Sequence, residues 1–270
     1  MRSESLEAGL SVLVSVYFGN TASEVARCLD SLLDQTLRAA EVVIVLDGPI
    51  SSAVRSKINE YERLLNLKLI SLQENLGLGQ ALNRGLVECR HEYVARIDVD
   101  DVCKRHRFSV QYQYMVSNPD VVVLGGQVEL FDEGGVYGNR RVPTDLEAIR
   151  RYSRLRNPFN HSTVMFRKSP ILKIGGYPPA RFTQDYLLWV KCISHGYVVR
   201  NLREVLVAMH ADQKMAGRRG LRYFKYDIKP YIQNYICRNN GLFFFSLAFL
   251  LRLGFNSFNS IKAIVFRLLY

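Results

Sequence analysis

Apolar positions along the first hundred residues alternate between two repeating patterns. "LSVLVSVYF" (10–18) is rich in β-branched residues and apolar at almost every position, the signature of a strand buried on both faces. "SEVARCLDSLLDQ" (23–35) instead spaces Val25, Leu29, Leu32 and Leu33 along one helical face. The two patterns then repeat. "EVVIVLD" (41–47), "LKLISL" (67–72) and "EYVARI" (92–97) read as strands, and "SAVRSKINEYERLL" (52–65) and "QALNRGLVEC" (80–89) as helices. The glycine-marked loop "ENLGLG" leads into the second of these helices. Strand and helix in strict alternation predict an α/β fold with a mostly parallel, doubly wound sheet and right-handed crossovers.

The second half is less regular. The pattern predicts a helix over 102–117 and a strand over 120–132 that bends at Gly125 and Gly126, with a loop at "EGGVYGN" (133–139). "NHSTVMFRK" (160–168) and "GYVVRNLREVLVAMH" (196–210) supply further strand material, separated by a helix near 183–195. No internal repeat is present. The tail changes character: "LFFFSLAFLLRLGF" (242–255) carries one charge, and "SIKAIVFRLL" (260–269) is amphipathic with Lys262 and Arg267. Both are short for a bilayer span and are interrupted by Gly254, Asn256 and Asn259. They read as interfacial helices with Arg252, Lys262 and Arg267 facing anionic headgroups, and packing on the main domain is the competing reading. The expected organisation is a main domain over 1–220, with halves 1–118 and 119–220, and a helical tail over 221–270.

Charge narrows the partners. The 270 residues hold 36 Lys+Arg against 25 Asp+Glu, and the resulting net charge of +11 favours nucleic acid, nucleotide phosphates or anionic lipid. RNA-binding runs of alternating aromatic and basic residues are absent, so no nucleic-acid partner is expected. Five scattered cysteines form no CxxC pair, which argues against a zinc site or a disulfide framework and suits a reducing compartment. "MRSESLEAGL" has no apolar signal core, so the main domain is expected in the cytosol.

The chemistry gathers where the predicted strands end. Tyr17 with Asn20, Asp47 with Gly48, and the cluster Asp98, Asp100 and Asp101 all fall at such ends, where parallel sheets bind ligands. Three carboxylates within four residues repel unless a cation is supplied. In an extended segment Asp98 and Asp100 share a face, while Asp101 points away and can cap a helix starting at Val102. Two such carboxylates suit a hard divalent cation, Mg²⁺ or Mn²⁺, that keeps positions open for phosphate oxygens.

"SVLVSVYFGN", "VVIVLDGP", "ENLGLGQALNRGL", "YVARIDVDD", "NPFNHSTVMFRK", "GGY", "QDYLLW" and "RRG" occur in one order over roughly residues 10 to 220. In these stretches the chain resembles the family 2 glycosyltransferases, which have a GT-A fold, and most of all the bacterial enzymes that extend lipid-linked sugars for O-antigen or exopolysaccharide. The resemblance implies that Tyr17 and Asp47, with Ser15 from the same strand as Tyr17, hold the uracil of a UDP-sugar. It implies that Asp98 and Asp100 handle ribose, metal and diphosphate, and that Asp185 is the base that deprotonates the acceptor hydroxyl. A carboxylate at a helix N-terminus is the plainer reading of Asp185. His161 is implied at the acceptor site, against an ordinary hydrogen-bonded histidine, and Arg218 and Arg219 on a diphosphate, against a solvated basic turn. Two departures stand out: the loop "NLGLGQALN" lacks an arginine that some relatives carry, and Gln184 replaces a glutamate before the Asp. His210, a metal-ligand position in some GT-A enzymes, is left out of the set because close relatives carry arginine there.

The implied reaction is inverting, metal-dependent transfer of galactose or glucose from a UDP-sugar to a GlcNAc or GalNAc on undecaprenyl diphosphate. The implied location is peripheral, at the cytoplasmic face of the inner membrane. A sugar-1-phosphate nucleotidyltransferase is the alternative enzyme, but "YFGNTASEV" lacks the Gly- and Arg-rich loop that chemistry needs. A non-catalytic basic membrane protein is the alternative without chemistry.

Overall fold

The computed structural model describes residues 8–211 and 221–257. Arg218, Arg219 and the segment 260–269 with Lys262 and Arg267 lie outside the described residues. In chain order the strands are β1 (Ala8–Tyr17), β2 (Ala39–Asp47), β3 (Leu67–Ser71), β4 (Tyr93–Arg96), β5 (Val102–Cys103), β6 (Val121–Asp132), β7 (Gly135–Arg140), β8 (Met165–Arg167) and β9 (Val198–His210). They form one mixed sheet in the order β3-β2-β1-β4-β8-β6-β9-β5, with β7 paired to β6. The first four are parallel, as the alternation predicts. β8 then runs antiparallel to β4, so the second half is mixed.

Period-two burial explains the layers. On β1 and β2, Val12, Val14, Val16, Val42, Ile44 and Leu46 pack under α1 (Ala22–Leu33) and α2 (Ser52–Tyr61). Leu13, Val43 and Val45 face the other way, under α3 (Leu78–Glu88). α1 starts where Thr21 Oγ1 accepts from the Glu24 amide (3.2 Å) and Glu24 Oε2 accepts from the Thr21 amide (2.8 Å). Such a reciprocal cap is worth about 1 kcal/mol. α3 seats closely because Gly85 has no side chain: a Cβ there would lie 2.4 Å from Leu13 Cδ1 and 2.6 Å from Val45 Cγ2.

The chain runs from β1 outward through β2 to β3, then returns to place β4 on the opposite side of β1. That reversal opens a crevice between the carboxyl ends of β1 and β4, where open α/β sheets take ligands. Tyr17 and the aspartate cluster flank it.

Three local expectations are corrected. The helix expected from Val102 starts at Arg107 (α4, Arg107–Ser117), because Val102 and Cys103 pair with Ala208 and Val207 of β9 instead. "EGGVYGN" is no loop: a turn at Glu133 and Gly134 makes it the hairpin strand β7. Within "NHSTVMFRK" only β8 is strand; His161–Thr163 form one 3-10 turn, and Lys168–Lys173 begin the short helix α6.

α5 (Leu146–Tyr152) and α7 (Gln184–Ser194) belong to the second half. The described part of the tail is α8 (Leu221–Asp227), α9 (Lys229–Ile236) and α10 (Leu242–Ser257). Ile228, Tyr231 and Ala248 join Tyr186 and Val190 of α7 in one buried cluster. Arg252 is buried as well and donates Nε–H to the Tyr231 hydroxyl (2.9 Å), which corrects its expected place among headgroups. α10 thus presents one face to the main domain. Its other face exposes Leu242, Phe243 and Leu250. No helix among the described residues is long and apolar enough to cross a membrane.

Candidate active site

β4 ends at Arg96, and the chain turns so that the Asp101 amide donates to the Asp98 carbonyl (3.2 Å). A turn does not alternate side chains as a strand does. One oxygen from each of Asp98, Asp100 and Asp101 therefore falls within 4.8 Å of the others. Asp101 neither points away nor caps a helix. It is buried, accepting from the His210 backbone amide at Oδ1 (2.8 Å) and from the Ser162 hydroxyl at Oδ2.

Part of the missing positive charge is internal. The buried Arg96 guanidinium donates Nη1–H to Asp98 Oδ2 (2.7 Å) and Nη2–H to Asp98 Oδ1, and the Ser162 hydroxyl oxygen lies 2.9 Å from the same Oδ2, its one hydrogen shared between Asp98 and Asp101. Burial draws the Arg96 pKa down, but the Asp98 carboxylate outweighs it and holds the guanidinium charged. Arg107, buried in α4, fixes this end of β4 by donating to the Arg96 carbonyl (2.7 Å).

One arginine does not neutralise three acids. Burial, then the charge of Asp98, pushes the Asp100 carboxyl up to about 6. Burial and both neighbouring carboxylates push Asp101 well above the usual carboxylate range. His210 places Nδ1 4.0 Å from Asp100 Oδ2. Crowded carboxylate oxygens held above their ordinary pKa, with an imidazole beside them, fit a hard divalent cation. Asp98 has both oxygens engaged by Arg96, so Asp100 is the carboxylate most open to an ion.

At the other side of the crevice Tyr17 and Asp47 are register partners on β1 and β2. Tyr17 is 43% exposed, so its ring is available to a flat base. Asp47 is buried beneath the α3 loop, its Oδ1 accepting from the Leu76 amide (2.7 Å) and its Oδ2 from Gly77 (3.0 Å). Gly48 makes this turn possible with φ of +86°, where a Cβ would meet the Asn75 amide nitrogen at 2.8 Å. Ser15, two residues before Tyr17, points to the same face of β1 and is half-buried.

His161 and Asp185 come from the second half. His161 Nε2 lies 2.9 Å from the Tyr177 hydroxyl, and burial, then the Arg96 charge, holds its pKa well below the usual range, so the ring is neutral. Tyr177 is pushed up mainly by burial; the Arg96 charge opposes the rise, and the carboxylates of Asp185 and Asp98 add to it. Asp185 stands in the first turn of α7, and Asn157 Nδ2 donates to its Oδ2 (2.6 Å). The residue before that helix, Thr183, holds φ of +61°, a left-handed conformation that costs a β-branched residue of order 1–3 kcal/mol.

The structure brings Asp98, Asp100 and Asp101 together, sets Tyr17 beside Asp47, and pairs His161, one residue before the Ser162 that bonds the cluster, with Tyr177. It adds Arg96, Ser162, His210, Asn157 and Tyr177. Arg96 had a visible signal, being the only charge inside "EYVARI" after its opening glutamate. Ser162, Tyr177 and Asn157 lie within motifs already singled out, although no pairing rule assigns them partners.

The chain is similar to known proteins along most of its length. The family model "Glycosyl transferase family 2" matches residues 11–174. The amylovoran biosynthesis glycosyltransferase AmsE of Erwinia amylovora is 40% identical over 243 residues, covering 90% of this chain and 91% of its own. A UDP-Gal:alpha-D-GlcNAc-diphosphoundecaprenol beta-1,3-galactosyltransferase of Escherichia coli is 37% identical over 235 residues, 84% of each chain. Among solved structures, S. aureus TarS 1-349 in complex with UDP-GlcNAc superposes with a TM-score of 0.69 at 18% identity, covering 92% of this chain and 73% of that one. That likeness identifies the fold as GT-A-like. With a family model spanning the crevice and relatives aligned along most of both chains, this chain belongs to glycosyl transferase family 2 and is a glycosyltransferase.

Proposed function

We propose that this glycosyltransferase moves a hexose, galactose or glucose, from a UDP-sugar to a GlcNAc or GalNAc carried on a polyprenyl diphosphate, with inversion, in O-antigen or exopolysaccharide synthesis. The observation that carries the reading is the acid turn Asp98–Asp101 at the β1/β4 crevice, opposite an exposed Tyr17. The names of the two curated relatives support the lipid-diphosphate acceptor and the polysaccharide context.

Tyr17 stacks on uracil, Asp47 accepts from the base N–H through its remaining lone pairs, and Ser15 adds a polar contact. Residues 1–118 hold the nucleotide, 119–220 the acceptor, and 221–270 form the tail. Asp98 and Asp100 would hold Mn²⁺ or Mg²⁺, with His210 beside them. A cation bound there neutralises the charge that develops on the departing diphosphate.

Inversion takes one displacement. The acceptor oxygen attacks the anomeric carbon as that carbon's bond to UDP breaks, and the acceptor proton passes to Asp185. The Asn157 amide holds Oδ2 of that carboxylate, while Oδ1 has no partner among the described residues and can take the proton. Neutral His161 and its partner Tyr177 are assigned to the acceptor sugar. Arg218 and Arg219 are assigned to a diphosphate. The exposed apolar face of α10 supports peripheral attachment at the cytoplasmic face of the inner membrane.

A donor screen tests the reading. With Mn²⁺ and a short alkyl-diphosphate GlcNAc, UDP-galactose or UDP-glucose should add one hexose to the acceptor by mass spectrometry. Absence of product with every UDP-hexose, under conditions where UDP and Mn²⁺ also fail to raise thermal stability, contradicts it.

A further inference from the structure

A second polar cavity of ≈ 250 Å³ opens beside Asp185, lined by Arg140, Arg156 and Arg252 and by Asn157, Tyr231 and Asp227 among others. Its arginines come from distant parts of the chain. Arg140 ends β7, Arg156 follows α5 with its guanidinium 5.5 Å from the Tyr152 ring centroid, and Arg252 reaches in from α10. Arg252 and Asp227 are more than nine-tenths buried, and Arg252 is oriented by the Tyr231 hydroxyl (2.9 Å). Three guanidiniums against the carboxylates of Asp185 and Asp227 leave the lining cationic.

We infer that this cavity is the binding site for the diphosphate of the acceptor, an inference that rests on the lipid-diphosphate reading above. Guanidinium forks match phosphate oxygens in geometry and charge, and burial strengthens the match. The nucleotide is not the occupant, because no lining residue precedes Arg140, whereas the donor crevice is built from β1, β2 and β4. The cavity is smaller than the pockets of about 300–1,000 Å³ that enclose drug-sized ligands, which suits a small charged group and not a whole lipid-linked sugar. A diphosphate held here sets its attached sugar against Asp185, one ring away from the linkage. The lipid then leaves along α10, which carries Arg252 inside and Phe243 and Leu250 on its exposed face. The arginines thus select an acceptor by its diphosphate, and Asp185 meets the hydroxyl that the selection presents.

Binding to two probes in the full chain tests this: a short alkyl-diphosphate GlcNAc and the matching alkyl GlcNAc glycoside without diphosphate. Titrations with UDP and Mn²⁺ run beside them. Arg156→Gln and Arg140→Gln, both at half-buried positions, should each weaken the diphosphate probe by about tenfold or more. The neutral probe and UDP should bind as to the parent. Inorganic pyrophosphate should displace the diphosphate probe only. The assignment is overturned if the parent does not bind the diphosphate probe, if neither substitution weakens it, if both probes weaken equally, or if pyrophosphate fails to compete. Failure of UDP to bind instead strikes the donor reading, and the probe titrations still report on this cavity.

Discussion

Replacing Arg96 with Met keeps most of the side-chain volume and removes the buried positive charge. Arg96 is 1% exposed and makes two bonds to Asp98, with a third to the Ser162 hydroxyl at 3.2 Å. Removing one partner of a buried ion pair costs about 3–5 kcal/mol, because the remaining charge is stranded. The Asp98 side chain is 37% exposed, so water screens part of that charge and the lower end, about 3 kcal/mol, is expected. The sign of the pH dependence follows. Without the guanidinium the three acids share the turn with no internal counter-charge, and Asp100 and Asp101, already raised by burial and by their neighbours, are pushed further the same way. A carboxyl raised on folding loses stability as pH rises through its folded pKa, and regains it when protonated. Urea unfolding of parent and variant at about pH 7.5 and about pH 5, both metal-free, measures this. The deficit should be about 3 kcal/mol at the higher pH and clearly smaller at the lower. A deficit below about 1 kcal/mol, or one equal at both pH values, refutes Arg96 as the internal counter-charge of the acid turn.

Asp185→Asn keeps size and hydrogen bonding but not basicity, so UDP affinity should persist while turnover falls by about 10²-fold or more; near-normal turnover places the base elsewhere. Since the Asp100 carboxyl sits at about 6, protons should compete with Mn²⁺, and calorimetric Mn²⁺ affinity should rise as pH increases through that value. Affinity flat between about pH 5 and 7.5 removes Asp100 from the ligands. On α10, the double substitution Phe243→Glu with Leu250→Glu touches exposed positions only, at 73% and 64% exposure. It should leave the melting temperature unchanged and reduce co-sedimentation with anionic liposomes by about tenfold or more; undiminished binding shows that this face is not the attachment surface.

The parallel half of the sheet was legible because strands buried on both faces announce themselves as apolar runs, and α1 to α3 because each carries an apolar stripe. β7 was not legible: "GVYGNR" is glycine-containing, polar and largely exposed, and it becomes a strand only by pairing with β6. The start of α4 was missed for a related reason. Val102 and Cys103 are drawn into the sheet by β9, a partner about a hundred residues away that local periodicity does not register. The same long-range pairing carries His210 to Asp100 and its backbone amide to Asp101. The positions of the functional acids were visible as strand-end carboxylates. Their electrostatics were not, because the buried Arg96, Ser162 and the turn geometry decide which acid is neutralised and which faces a ligand.

The claim at the centre is that Asp100, in the acid turn beside β1, binds a UDP-sugar through a divalent cation. Calorimetric titration of UDP into parent and Asp100→Asn, each with Mn²⁺ and then with excess EDTA, tests it most directly. The parent should bind UDP with Mn²⁺ and lose at least about tenfold in affinity with EDTA, the loss of a charge-assisted contact. The variant should unfold with an unaltered cooperative transition and bind weakly in both conditions. UDP bound equally well in EDTA, or equally well by Asp100→Asn with Mn²⁺, contradicts the account.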